Sequence, residues 1–486
     1  MEMSSVPSAL SYHLNRVNGC SVNTFQIGST SASSVLANSQ IRFLLPTSGM
    51  LDFKTLRLHF AVELTEGAVN GGARLPAGIK HLFNRVQVQI GGVTIAQGTN
   101  FFGVQEDAVS IVNDKSPSLV SEHGEMVTEY DYTGTHITAS NTAGSEKYAT
   151  GLGKNSTLFS IDLGDVAKIS PRIVPLDLCR QVEIIFFTAP NSVLSAVRGK
   201  DPTGSTNAMT LSNGNTSPTY TITKASLVAN MYSLEDGAFS MAVASRIRDT
   251  GFVEMCFPQH LAFSQAWNGS ARFALSAMSL NKLHALWRRN TGTYAFATVG
   301  GALPVAGSAT KGLDDGPRYP WQGAIAAEIG QARFRGRVQH FSAPTANPGY
   351  NDSVEDGTAL DYGAADVTEP LKLQYKINSA QVPNFQANQS QWAELTKWAN
   401  NVDKLDCAST VEYLFNKFVI SYPLELPHNA WEPKTISGLD TRATSTFITL
   451  EGTGNCNVAS QYDVLILAEV STLVRIGAGK SLEVLM

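Results

Sequence analysis

The sequence predicts an all-β chain built as two successive domains, each a β-sandwich or jelly roll, and three observations carry that expectation. Residues 81–100 read as a β-hairpin, and period-two apolar alternation recurs along the chain between long loops, with few long helices. At 486 residues the chain also exceeds one ordinary core, so two domains of roughly 200–250 residues are expected.

The hairpin is the clearest element. Val86, Val88 and Ile90 alternate with Gln87 and Gln89, Gly91-Gly92 supply a two-residue turn, and Val93 and Ile95 resume the apolar face. Pairing Ile90 with Val93 puts Val88 opposite Ile95. One face is then apolar, and the other carries Gln87, Gln89 and Thr94, as expected of a strand pair covering one side of a sandwich core. In 100–113, Phe101, Val104, Ala108, Ile111 and Val112 fall near helical spacing, which predicts a short amphipathic helix.

Taken in order, residues 1–40 are polar and rich in Ser and Asn, with Phe25 and Ile27 the first hint of a strand, and read as an extended arm or edge element. Strands follow at 41–45 and 55–64, the second alternating Leu56, Leu58, Phe60, Val62 and Leu64 with Arg57, His59 and Glu63. Residues 67–78 form a turn region and 116–155 a polar surface loop. Strands return at 157–163, 181–188 and 219–233. Helical character at 234–248 then precedes a fresh strand pattern, placing a domain boundary near residue 235.

In the second half, 251–257, 262–267 and 271–287 read as strands. Residues 291–366 are rich in Gly, Ala, Pro and Asp and read as a long exposed loop region, with possible strand material only at 332–341. A strand at 371–377 precedes a helix capped by Ser390 and running to about Val402, whose Trp392, Leu395, Trp398, Ala399 and Val402 share one face. Strands at 413–422, 444–450, 463–476 and 482–485 close the chain. The expected division is an arm at 1–40, a first sandwich at 41–234 and a second at 235–486, the second resembling a diverged copy of the first.

Composition excludes several functions. Charged residues are 16% of the chain, against roughly 25% in an average soluble domain. A charge-poor surface suits subunits that pack against one another, as well as a merely Ser/Thr-rich β protein. A net charge of -5, with only Glu2 and Arg16 charged in residues 1–40, offers no electrostatic footprint for nucleic acid. The beginning of the chain lacks a basic start followed by an apolar run, and the longest apolar runs, such as 182–189 and 464–468, fall far short of the roughly 18 residues of a membrane span. The expectation is a soluble chain that is not secreted. Five scattered cysteines (Cys20, Cys179, Cys256, Cys407, Cys456) without C-x-x-C argue against a disulfide framework or zinc site, and read as small buried apolar residues in a reducing compartment.

The search for chemistry assigns no catalytic residue, no cofactor-binding residue and no metal ligand. The nine histidines include no H-E-x-x-H, and His59 alternates outward on its strand. Gly151 to Asn155 lacks the leading Gly and the Ser/Thr of a phosphate loop. Glu63, Asp162, Glu183 and Glu469 are candidate glycosidase carboxylates, but each is by default a solvated side chain. Asp314, Asp315 and Asp352 lack calcium-loop spacing. Asn155-Ser156-Thr157 and Asn268-Gly269-Ser270 mean little as glycosylation triplets without secretion. Trp392 and Trp398 read as core packing rather than a sugar platform, and Arg288 and Arg289 as a solvated rim.

The run LFNRVQVQIGGVTIAQGTNFFGVQEDAVSIVND resembles the first-domain signature of double jelly-roll major capsid proteins, a strand and turn followed by a polar segment and a short helix. RIVPLDLCRQVEIIFFTAP and YTITKASLVANMYSL are similar to the segment closing that first jelly roll. LKLQYKINSAQVPNFQ resembles a second-domain strand, and YDVLILAEVSTLVRIGAGKSLEVL the last strands. The resemblance spans most of 40–486 and is nearest to capsid proteins of polinton-like viruses and virophages. It implies two consecutive eight-stranded jelly rolls with short helices and long loops. It further implies a non-enzymatic homotrimer of pseudo-hexagonal outline, with trimer–trimer contacts, tiling an icosahedral shell around double-stranded DNA.

The partners so implied are the chain itself and penton and minor or cement capsid proteins. An internal virion membrane is compatible with this, without a membrane span, and sequence-specific nucleic-acid binding is not expected. The location is the virion, after synthesis in the host cell interior, and 291–366 is a candidate outward tower loop. The alternatives are a carbohydrate-binding or carbohydrate-active β-sandwich protein and a minor capsid or receptor-binding component.

Overall fold

The structure, a computed structural model, describes residues 20–65, 71–74, 79–98, 100–113, 157–193, 195–198, 219–234, 238–289, 341, 343–344, 370–407, 413–414, 417–425, 437–442, 446–456 and 462–485. The loop regions expected at 116–155 and 291–366 lie almost wholly outside them.

In the first half run β1 (Cys20–Gly28), β2 (Ser34–Leu36), β3 (Gln40–Leu44), β4 (Met50–Asp52), β5 (Arg57–Thr65), β6 (Gly71–Arg74), β7 (Phe83–Ile90) and β8 (Val93–Ala96). Helix α1 (Phe102–Val112) follows, then β9 (Thr157–Asp162), β10 (Ile173–Pro175), β11 (Val182–Thr188), β12 (Ser195–Arg198) and β13 (Thr219–Leu234). One sheet has the order β10-β4-β13-β5-β9, with β1 and β2 along the opposite edge of β13, and a second has the order β3-β11-β7-β8. Strands β6 and β12 form a separate ribbon.

Helix α2 (Ala238–Thr250) leads into β14 (Phe252–Trp267), β15 (Ser270–Ala274), β16 (Leu280–Arg289), β17 (Lys372–Ile377) and β18 (Ala380–Asn388). Helix α3 (Gln389–Asn400), β19 (Val419–Pro423), β20 (Phe447–Thr453), β21 (Tyr462–Gly477) and β22 (Leu482–Leu485) complete the chain. These make the sheets β14-β21-β16-β19, with β22 on β21, and β15-β20-β17-β18. All ladders between these strands are antiparallel. A hairpin followed by a helix recurs, as β7-β8-α1 and as β17-β18-α3.

Alternation builds each core. Leu58, Phe60 and Val62 of β5 face Phe43, Phe83, Val88 and Phe186 of the opposing sheet, and Phe60 meets the Phe83 ring edge-on at 5.2 Å. In the second sandwich Trp267 and Trp287 meet edge-on at 5.5 Å, and Trp392 of α3 donates its Nε1–H to the Leu373 carbonyl at 3.0 Å. A buried indole N–H usually finds such an acceptor.

Several local expectations need correction. A bulge after Val88 sets it opposite Ala96 rather than Ile95, and Val93, at the hairpin tip, is 47% exposed. Positive φ at both Gly91 and Gly92 matches the two-residue turn. β14 is one continuous strand where two were expected. Pro258 falls within it, at a sheet edge where the only strand ladder of β14 among the described residues is with β21 and a missing N–H is tolerated. The strand expected at 271–287 is two, because the chain leaves one sheet after Ala274 and joins the other at Leu280.

Asn388, not Ser390, caps α3, in a capping box with Gln391. Trp398 does not share the buried face of Trp392, and is 61% exposed. Of the segment read as an arm or edge element, β1 pairs along its whole length with β13, and β2 also joins that sheet. The closing strand expected at 413–422 is confined to β19. His59 is half-buried beside Ser160, and Cys256 and Cys407 are only partly buried, whereas Cys179 and Cys456 are buried.

Candidate functional site at the junction of the two sandwiches

The sheet β14-β21-β16-β19 has a core on each side, and strand parity decides which residues face which. Val464, Ile466 and Ala468 of β21 and Leu283, Ala285 and Trp287 of β16 enter the second sandwich's core. Leu465, Leu467 and Leu286 turn the other way and pack, with Val419, on Val104, Ala108, Ile111 and Val112 of α1. Met255, Phe257, Val474 and Ile476, at one end of the β14–β21 pair, enter the first sandwich's core instead, with Phe257 and Phe53 rings 6.5 Å apart. Backbone bonds between Ser170 and Cys256 (2.9 and 2.7 Å) fasten the same end.

Alternation on that α1-facing side continues from Leu467 to Glu469, from Leu286 to His284 and from Ala262 to His260. Three titratable residues on three adjacent strands therefore converge. His260 and Glu469 are register partners between β14 and β21, and Glu469 also lies opposite Lys282 of β16. His260 Nε2 and His284 Nε2 lie 4.0 and 3.9 Å from Glu469 Oε2, beyond hydrogen-bond length, and the imidazole centroids are 5.7 Å apart. Both histidines are buried, and the Glu469 side chain retains 21% exposure.

The far nitrogen of each histidine is already engaged. His260 Nδ1 lies 2.7 Å from Asp165 Oδ2, and His284 Nδ1 lies 2.6 Å from Ser421 Oγ. Asp165 sits in a 3-10 turn, Gly164–Lys168, of the first sandwich. It also accepts from Gln105 Nε2 at 2.8 Å and from Lys168 Nζ at 3.1 Å. Lys282 Nζ is 3.8 Å from Glu425. His260 Nε2 has no hydrogen-bond partner.

The electrostatics follow from this crowding. Burial alone would raise the Asp165 carboxyl, but His260 and Lys168 hold it well below the usual carboxylate range. Burial opposes charging His260, yet Asp165 outweighs it and raises that imidazole. His284 has no such counter-charge beyond Glu469, and burial pushes it down to about 4. Burial works to raise Glu469, but His284, His260 and the two lysines lower it.

The other carboxylates weighed from sequence do not converge. Glu63 is exposed on β5, six positions from the Asp162 pairing at Arg57. Asp162 is bound to Lys80 at 2.9 Å, and Glu183 lies in another sheet, 3.4 Å from Arg42. Arg288 is not a solvated rim, since its guanidinium lies 5.4 Å from the Phe101 ring centroid. Gly151–Asn155, Asp314, Asp315 and Asp352 fall outside the described residues. Among the described residues no helix is long and apolar enough to cross a membrane.

Exposed apolar side chains mark the outer surface. β1 and β18 each pair on one side only among the described residues, and carry Phe25 and Phe385, each nearly half exposed. Leu36 and Trp398 are exposed further.

No protein-family model matches the sequence, and neither does any curated protein. Solved structures do match. The chain is similar to PBCV-1 VP54, in a crystal structure fitted into a cryo-EM reconstruction of the virophage Sputnik, at TM-score 0.52 and 15% identity over 98% of this chain and 99% of that one. It is also similar to a chain of the quasi-atomic PBCV-1 virus capsid, at TM-score 0.50 and 13% identity over 98% and 99%. The fold is the double jelly roll.

Proposed function

We propose that the chain is the major capsid protein of an icosahedral double-stranded DNA virus. The observation that carries the reading is the likeness to PBCV-1 VP54, in which two sandwiches in tandem match end to end, with 98% and 99% of the two chains covered. On this reading the protein acts by assembly and not by catalysis. Three copies form a pseudo-hexagonal capsomer, one jelly roll from 41–234 and one from 235–486 in each, and capsomers tile the shell through weaker contacts. Pentons and minor or cement proteins complete the particle. The finished protein resides in the virion after synthesis in the host cell.

Two features support self-association. Among the described residues, edge strands β1 and β18 each pair on one side only and carry exposed Phe25 and Phe385, one on each sandwich, as expected of side surfaces covered in an oligomer. The low charge content agrees, because interface cores are depleted in charge. The carbohydrate reading is not favoured, since Glu63, Asp162, Glu183 and Glu469 do not pair across a cleft.

Light scattering of the purified protein tests the proposal. Three chains of 52.1 kDa give 156.3 kDa, and that mass with hexagonal outlines in negative stain is the expected result. A monomer that forms no ordered assembly under varied salt and pH would overturn it.

A further inference from the structure

We propose that His260, His284 and Glu469 form a binding site for a divalent transition-metal ion of the zinc class. The inference rests on geometry within one sheet and is independent of the capsid reading. The three ligand atoms lie within 4.8 Å of one another. Tetrahedral zinc–nitrogen and zinc–carboxylate bonds of 2.0–2.2 Å put ligand atoms about 3.4 Å apart, so the separations of 4.0 and 3.9 Å must contract by about 0.5 Å and the third, at most 4.8 Å, by up to about 1.4 Å, within reach of side-chain rotation.

The second observation is the buried, unpartnered His260 Nε2 on the Glu469 side of its ring. A buried ring nitrogen without a partner is costly, and an ion supplies the missing partner. The surroundings match a metal-binding histidine. Asp165 Oδ2 accepts from Nδ1–H of His260, which leaves the Nε2 lone pair free to coordinate and fixes the ring, as the outer carboxylate of a carboxylate–histidine–metal triad does. Ser421 Oγ fills the corresponding position behind His284.

The nearby lysines are directed elsewhere, Lys168 to Asp165 and Lys282 to Glu425. Two imidazoles and one carboxylate suit zinc and its neighbours better than calcium or magnesium, which take oxygen ligands. The partial exposure of Glu469 gives an ion its route in, and three protein ligands leave a fourth position for water.

The test uses the full-length protein after removal of bound metal with EDTA and dialysis. Titration with Co²⁺ should give one equivalent per chain with the visible bands of tetrahedral coordination, and Zn²⁺ should displace it. His284→Ala and Glu469→Gln should each abolish the bands. Because His284→Ala could disturb the junction, Glu469→Gln keeps shape and hydrogen-bonding capacity while removing the anionic ligand. Asp165→Asn should retain one equivalent but weaken Zn²⁺ binding about 10–100-fold. Absence of stoichiometric Co²⁺ binding by the unaltered chain overturns the proposal. So does binding that survives both His284→Ala and Glu469→Gln.

Discussion

Gly103, in the first turn of α1, sets two effects of opposite sign against each other. An added Cβ would lie 2.6 Å from His81 Cγ and 2.7 Å from both His81 Cα and Nδ1. Helix propensity alone favours Gly103→Ala by about 0.5–1 kcal/mol. Ordinary carbon contacts begin near 3.5 Å, so the helix must retreat by about 0.8 Å (3.5 minus 2.7), and a backbone atom cannot rotate out of the way. The buried bond between His81 Nε2 and Asp107 Oδ2 spans 2.9 Å and would stretch to about 3.7 Å if the whole shift fell along it, past hydrogen-bond length.

Overpacking costs about 1–3 kcal/mol, and a severed bond to a charged group about 1.5–3 kcal/mol. Set against the propensity gain, the net loss is about 1.5–5.5 kcal/mol. The opposite face of α1 packs on Leu286, Leu465 and Leu467, so the retreat would also press into the second sandwich. Urea unfolding followed by far-UV circular dichroism, at matched protein concentration, should show a lower midpoint for Gly103→Ala. A midpoint equal to or above that of the unaltered chain would refute the close-approach argument and leave propensity as the deciding effect.

Trp392→Phe should lower the thermal midpoint by the equivalent of about 1–3 kcal/mol, because it leaves the Leu373 carbonyl without its indole donor, whereas Trp398→Ala should leave the isolated chain's midpoint nearly unchanged. Asp52 is fully buried and caps the turn at Phe53–Thr55 by accepting from the Lys54 N–H at 3.1 Å. Asp52→Ala should cost about 0.5–2 kcal/mol through that cap alone, read as a shift in denaturant midpoint. Burial works to raise the Asp162 carboxyl, but Lys80 more than reverses this and lowers it. A carboxylate so lowered contributes stability that is present above its unfolded value, near pH 4, and is lost as the pH falls through the folded value. Lys80→Met should therefore move the acid-unfolding midpoint to higher pH, and an unchanged midpoint would exclude the pair as a source of acid resistance.

Much of the sandwich architecture could be read from residue order because its signals are local. β7, the Gly91-Gly92 turn and α1 each follow from a few consecutive side chains, and Leu482–Leu485 forms β22 as its alternation predicts. The continuity of β14 through Pro258 was not legible because whether a proline interrupts a strand depends on whether the strand lies at an edge, which is set by the partner more than 200 residues away. Trp398 misled because helical spacing places 392 and 398 near one another without saying where the apolar arc ends. The junction cluster was invisible for a related reason. His260, His284 and Glu469 show no motif spacing, and only strand register brings them together. Glu469 drew notice as one of several carboxylates, and the available signal was its parity with Leu465 and Leu467.

β14 and β21, each 16 residues long and paired over their full length, supply side chains to both hydrophobic cores. A beam shared by two rooms cannot tilt in one without tilting in the other. The pair of sandwiches is thereby deprived of a hinge, and the two move as a single stiff body. Under the assembly proposed above, any angular difference between neighbouring capsomers would therefore have to be absorbed between chains rather than within one.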